Sequence, residues 1–111
     1  MNIQIIGTKS CKETQKAIRF FKERRIQFHF KDLNESSVSK GELNNIKQAI
    51  PIEQLIDTEG KEYSKRNLKF MVFNIEDELL GKPLLFKTPI VRNGKLVSVG
   101  YQPEVWKSWI S

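Results

Sequence analysis

Cysteine and histidine are almost absent from this chain, which has one of each, Cys11 and His29, among 111 residues. One cysteine cannot form an internal disulfide and does not suffice for a cysteine-rich zinc site, so we expect no bound metal or cofactor. We interpret His29 as a strand residue. No apolar stretch approaches the roughly 20 residues of a membrane span. The N-terminus turns polar too early for a signal peptide, and a free thiol then predicts a cytoplasmic protein.

Basic residues outnumber acidic residues, but they are spread along the chain and do not form one block. The chain has 19 lysines and arginines against 13 acidic residues, a net charge of +6, which favours acidic partners or small oxyanions. Many of the basic residues fall into two groups, which are Lys9, Lys12, Lys16, Arg19, Lys22, Arg24 and Arg25, and Lys61, Lys65, Arg66 and Lys69. Neither group has the interleaved aromatic residues typical of nucleic-acid binding, so we expect solvated basic faces.

The first third of the chain predicts a βαβ unit. Residues 2–6 are rich in β-branched side chains and end at Gly7, which indicates a strand. Residues 26–33 alternate between apolar and polar side chains, the period of a half-buried strand. A helix between them is indicated by apolar-face residues at helical spacing, namely Thr14, Ala17, Ile18 and Phe21.

The remainder predicts a helical insertion followed by a ββα unit. Residues 41–50 have helical spacing, and shorter helical turns are expected over 52–56, 67–73 and 76–80. Asn93-Gly94 between two apolar runs indicates a hairpin, and Pro103 begins a final helix. The order, βαβ, helices, then ββα, resembles the thioredoxin-like plan. Residues 1–111 are therefore expected to form a single α/β domain.

Cys11 lies where the first helix is expected to begin. Ser10-Cys11-Lys12-Glu13 fits a capping box with Ser10 as N-cap, which makes Cys11 the first helical residue. Free N–H groups there, with nearby lysines, lower the pKa of a thiol, and the hydroxyl of Thr14, one turn later, can donate to the thiolate. The alternative is a small buried side chain with no chemistry.

Thr88-Pro89 precedes the predicted hairpin. In a thioredoxin-like plan this proline is usually cis and lies beside the cysteine loop, so we predict a cis bond before Pro89 and a contact with the Cys11 loop. The alternative is an ordinary proline at the start of an edge strand.

Several segments together resemble the ArsC family, which includes glutaredoxin-linked arsenate reductases and Spx-type regulators of RNA polymerase. The first is residues 11–17, Cys-Lys-Glu-Thr-Gln-Lys-Ala, and the second is residues 26–32, Ile-Gln-Phe-His-Phe-Lys-Asp. Residues 55–63, 84–91 and 99–101 extend the resemblance over essentially the whole chain. It implies a thioredoxin fold.

The resemblance also implies roles for individual residues. Cys11 corresponds to the nucleophile that attacks arsenate and Thr14 to an assisting hydroxyl, with glutathione and glutaredoxin regenerating the thiol. The family's three oxyanion-binding arginines correspond here to Asp57, Thr88 and Tyr101, the basic residue after the hydroxyl to Gln15, and the upstream histidine to Gly7. Losing guanidinium groups weakens oxyanion binding. The residues expected near a substrate are Lys9, Lys12, Lys87, Thr88 and Pro89.

Two functions follow from the resemblance. The first is a single-thiol oxidoreductase in which Cys11 attacks and glutathione or glutaredoxin resolves the adduct. The alternative is an Spx-like, non-enzymatic regulator that binds RNA polymerase. Because Thr14 stands where the Spx branch has its second cysteine, an internal disulfide switch is excluded. A third reading is a family member whose thiol has no role.

Overall fold

The chain folds into two compact units in a computed structural model that describes residues 2–110. The sheet unit contains the chain up to Asp32 and again from Thr88, and the helical unit is Leu33–Lys87. Among residues 2–110, no helix combines the length and the hydrophobicity required to cross a membrane. The helices are α1 (Lys12–Glu23), α2 (Lys40–Ala49), α3 (Lys61–Lys65), α4 (Ile75–Gly81) and α5 (Pro103–Ile110).

Within residues 2–110 four strands form the sheet, and their pairing confirms the predicted plan. They are β1 (Ile3–Gly7), β2 (Phe28–Asp32), β3 (Ile90–Asn93) and β4 (Leu96–Val99), in the spatial order β2-β1-β3-β4. β1 runs parallel to β2 and antiparallel to β3, and β3 pairs antiparallel with β4. The parallel pair joined by α1 is the βαβ unit, and the hairpin turns at Gly94, whose φ is +61°.

The core of the sheet unit is built around Trp106 of α5, which is fully buried. Its ring centroid lies 5.2 Å from that of Phe20 and 5.4 Å from that of Phe21, both on α1. The indole Nε1 donates to Ser98 Oγ at 2.8 Å, which satisfies the one polar atom of the ring. The predicted stripe of α1 is correct at Thr14, Ala17 and Phe21, which are buried. Ile18 is only partly buried, and Phe20, which was not predicted, is buried as well.

The helical unit begins with a capped helix. Ser39 is the N-cap of α2: its hydroxyl accepts from the Glu42 N–H at 3.1 Å, and its own N–H donates to Glu42 Oε1 at 3.0 Å. Leu43 and Ile46 then bury the inner face of the helix. Further along, α3 was not expected from the sequence, and three single 3₁₀ turns cover Ile52–Gln54, Leu68–Phe70 and Pro83–Leu85.

Ser39→Ala is expected to lower the free energy of unfolding by about 1 kcal/mol, because the Glu42 N–H loses the hydroxyl that accepts from it. Urea unfolding followed by far-ultraviolet circular dichroism measures the change. Ser10→Ala is the matched control, since Ser10 stands in an identical Ser-x-x-Glu pattern but does not cap α1, and it is expected to be nearly neutral. Equal losses in both variants would contradict the assignment.

Candidate functional site around Cys11

Cys11 is itself the N-cap of α1, which corrects the prediction that Ser10 caps the helix and that Cys11 is its first residue. The Cys11 N–H donates to the Thr8 carbonyl at 3.2 Å, closing a four-residue turn, and the Cys11 carbonyl accepts the first helical bond from Gln15 at 3.0 Å. Ser10 lies inside that turn, with its hydroxyl 3.4 Å from that of Thr8. It is therefore one residue too early to reach the helix.

Thr88 supplies two hydrogen-bond partners of the sulfur. Its hydroxyl donates to Cys11 Sγ at 3.1 Å, and its carbonyl oxygen lies 4.0 Å from the same sulfur, where it can accept from the thiol. One residue therefore offers a donor to the thiolate and an acceptor to the thiol. The sulfur is free of any disulfide and half-buried, so it stays open to a reagent from solution.

The surroundings of Cys11 favour the thiolate. Partial burial raises the pKa of Cys11, but the hydroxyls of Thr14 and Thr88 and the backbone N–H groups of Thr14 and Glu13 together hold the pKa below its ordinary value. They lower the thiol pKa although the Cys11 side chain forms no capping hydrogen bond with a backbone N–H of α1. The thiolate is the nucleophilic form of cysteine, so a lower pKa increases the reactive fraction at neutral pH.

The lysines expected to assist are placed differently from the hydroxyls. Lys9 and Lys12 flank Cys11 in the chain and are exposed, so water screens their charges. Neither is among the groups that lower the thiol pKa. Lys16, on the next turn of α1, has its ammonium 5.5 Å from the centre of the Tyr101 ring. The groups that hold the thiol pKa low thus include Thr14 and helix N–H groups but none of the lysines, and the catalytic or binding roles of these residues stay predictions.

Pro89 and Lys87 lie on either side of Thr88 in the chain. The Thr88–Pro89 peptide bond is cis, as predicted, and Pro89 is buried. The contact with the cysteine is made by Thr88. Lys87 belongs to the helical unit, where its N–H donates to the Leu55 carbonyl at 2.7 Å and its side chain is exposed. The structure thus brings Cys11, Thr14 and Thr88 together; the binding roles of the other residues stay predictions.

Two residues of the site, which the sequence indicated only as replacements of family residues, make contacts that were not predicted. The Gln15 amide donates to the Lys9 carbonyl at 2.5 Å, tying the first turn of α1 to the loop before Cys11. Gly7 faces Thr14 so closely that a Cβ added at residue 7 would lie 2.4 Å from Thr14 Oγ1. A glycine that ends a strand just before the cysteine loop was the available signal.

Among residues 2–110, no cluster of three His, Cys, Asp or Glu residues could hold a metal.

A four-stranded mixed sheet, a cysteine at the start of the first helix and a cis-proline before the hairpin define a thioredoxin-like fold. The model of the ArsC family matches residues 6–109, so this chain belongs to the ArsC family. The match includes residues of both units.

Solved structures agree with this fold. A protein named YffB is similar over 98% of this chain and 99% of its own, with 17% identity and a TM-score of 0.86. The arsenate reductase from Vibrio cholerae is similar over 97% of both chains, with 18% identity and a TM-score of 0.81. The glutaredoxin from Archaeoglobus fulgidus shares the fold more distantly, at 18% identity and a TM-score of 0.50 over 97% of this chain and 84% of its own. No curated protein sequence matches the chain.

Proposed function

We propose that this protein is a single-thiol oxidoreductase in which Cys11 is the nucleophile and an external thiol, glutathione or glutaredoxin, restores it in the cytoplasm. The observation that carries the proposal is the hydrogen bond of 3.1 Å from the Thr88 hydroxyl to Cys11 Sγ. Together with the Thr14 hydroxyl it lowers the thiol pKa against the effect of burial. Membership of a family with arsenate reductases adds to this support.

The proposed reaction is thiol–disulfide exchange. The Cys11 thiolate attacks one sulfur of a disulfide that contains glutathione, a new S–S bond joins Cys11 to glutathione, and the other sulfur leaves as a thiolate. A second glutathione thiolate then attacks the glutathione sulfur of this adduct. Oxidised glutathione forms and the Cys11 thiolate leaves with its electron pair. The substrate's other sulfur is released as a thiol, and oxidised glutathione forms from the glutathionyl half of the substrate and one molecule of reduced glutathione.

A disulfide suits this site better than arsenate does. The groups around the sulfur are two hydroxyls and backbone N–H groups. A hydroxyl, Thr88, occupies a position where the arsenate reductases of the family are expected to carry arginine. Bidentate guanidinium donors are the groups best suited to hold an oxyanion. Arsenate turnover is therefore expected to be poor.

Cys11→Ser is expected to abolish glutathione-dependent reduction of hydroxyethyl disulfide, because serine cannot form the mixed disulfide. The assay couples oxidised glutathione to NADPH consumption through glutathione reductase. Intact mass after treatment with oxidised glutathione detects one added glutathionyl group on the wild type and none on the variant. Ser10→Ala, next to Cys11 but outside its contacts, is the control and should keep full activity.

Full activity in Cys11→Ser would disprove the proposal. The alternative, a regulator of the Spx type, is favoured by an exposed apolar segment in the helical unit, with Phe70 82% and Val72 104% exposed. Wild-type protein that fails to turn over the disulfide but binds purified RNA polymerase would support that alternative. Inactivity without such binding would support neither function.

A further inference from the structure

Gly7 and Thr14 fit together where the last residue of β1 passes under the first turn of α1. Both residues are buried, and Thr14 is completely so. A Cβ at residue 7 would meet Thr14 Oγ1 at 2.4 Å, Cγ2 at 2.8 Å and Cβ at 3.1 Å. The space beside Gly7 is therefore already filled by the threonine side chain.

A rotation of the threonine does not relieve such a contact. A threonine side chain has three staggered positions and fills two of them with Oγ1 and Cγ2. Both filled positions lie under 3.0 Å from the added Cβ, so every rotamer leaves at least one heavy atom in a forbidden place. A side chain at residue 7 would have to displace the start of α1 from β1.

The start of α1 is also where the reactive sulfur lies. Cys11 is the N-cap and Thr14 is the third helical residue, the position that an N-cap side chain ordinarily reaches. The Thr14 hydroxyl is buried and makes no hydrogen bond within the described residues, and it is among the groups that hold the pKa of the Cys11 thiol below its ordinary value. A buried hydroxyl without another partner is thus available to the thiolate.

We propose that Gly7 is a positioning residue for the Cys11 thiolate: the missing side chain at residue 7 lets the Thr14 side chain stay in the first turn of α1, where its hydroxyl is available to the sulfur. The inference deepens the proposed function and rests on it for its biological meaning. Gly7 touches no reacting atom. It acts only through Thr14, and this distinguishes it from a residue that contributes to the fold in general.

The test is the rate of alkylation by iodoacetamide as a function of pH, measured on the full chain. Gly7→Ala is expected to move the midpoint of the profile to higher pH and to slow alkylation at pH 7 by about fivefold, as expected for a weakened hydrogen bond to a charged group. In a Thr14→Ala background, which lacks the hydroxyl of residue 14, adding Gly7→Ala should change neither the midpoint nor the rate. A loss of packing without a positioning role would lower the melting temperature and leave the midpoint in place.

A second pair of variants removes the two closest steric contacts, in case Gly7→Ala does not fold. Serine has one heavy atom beyond Cβ, so Thr14→Ser keeps the hydroxyl and should retain the wild-type midpoint. Combined with Gly7→Ala, the serine must turn its hydroxyl to the third staggered position, which threonine leaves without a heavy atom, and the midpoint should rise. Gly81→Ala is the control, because a Cβ there meets nothing within 4 Å.

An unchanged midpoint in Gly7→Ala, or in the combined Gly7→Ala and Thr14→Ser variant, would overturn the inference. So would equal effects of Gly7→Ala with and without the Thr14 hydroxyl. The readout is the thiol itself and not turnover. If the variants show these shifts in the alkylation midpoint but the wild-type protein reduces no disulfide, the proposed function is overturned and the role of Gly7 stands.

Discussion

Replacing Trp106 by alanine is expected to cost about 3–5 kcal/mol of the free energy of unfolding, a large part of the stability of a small protein. Trp106 is fully buried against Phe20 and Phe21 and carries a buried hydrogen bond to Ser98. Alanine leaves a cavity the size of an indole and a serine hydroxyl without its donor. Urea unfolding, monitored by circular dichroism, measures the loss.

Two further variants separate the contributions to that loss. Trp106→Phe keeps an aromatic ring in the core but removes the N–H, so it is expected to cost less than alanine. Trp109→Ala is the matched control on the same helix, because Trp109 packs against the core but is only partly buried. If Trp106→Ala were no more destabilising than Trp109→Ala, the core assignment of α5 would be wrong.

Thr88→Val is expected to raise the pH midpoint of Cys11 alkylation and to slow the reaction at pH 7 by about fivefold. The hydroxyl of Thr88 lies 3.1 Å from the sulfur and stabilises the charged form. Its removal leaves the effect of burial, which raises the thiol pKa, less opposed. At a pH well above both midpoints the Cys11 thiol is fully ionised in the wild type and in the variant, so their alkylation rates should converge there.

Thr88→Ser keeps the donor and should behave as the wild type, which shows whether the hydroxyl or the shape of the side chain matters. Thr8→Val is a second control: Thr8 lies in the cysteine loop, but its hydroxyl faces Ser10 and not the sulfur. A Thr88→Val profile that overlays the wild-type profile would show that the hydroxyl does not stabilise the thiolate.

The two Ser-x-x-Glu patterns show where local sequence is sufficient and where it is not. The pattern at Ser39 forms a complete capping box, which was not predicted, whereas that at Ser10 was predicted and does not form. The difference is the turn closed between Thr8 and Cys11, which places Ser10 before the helix. Both segments satisfy the same local rule, so only the path of the preceding chain decides between them.

Elements with a strong apolar period were predicted well. The strands, the hairpin at Asn93-Gly94, and α1, α2 and α5 all lie close to their expected places. α3 was missed because it buries none of its five residues completely and so carries no apolar stripe. A helix of this kind depends on neighbouring segments, and periodicity cannot detect it.

The candidate site divides in the same way. The thiol, the hydroxyl one turn later and the cis-proline follow from spacing and from the family resemblance. The fit of Gly7 against Thr14 does not, because it is a distance between a strand and a helix. Similarly, Thr88 was expected near a substrate as the counterpart of an arginine, but its hydrogen bond to the sulfur depends on how the chain returns to the sheet.

Cys11 is half-buried and has no second cysteine in the chain, and this determines how its oxidation can be counted. A disulfide needs two sulfur atoms, so any disulfide at Cys11 joins the protein to a separate molecule. Each copy of the chain can therefore form one mixed disulfide at a time. Its formation consumes a disulfide from solution and its reduction consumes a thiol, so at equilibrium the fraction of chains with a mixed disulfide reports the ratio of oxidised to reduced thiol in the surrounding solution.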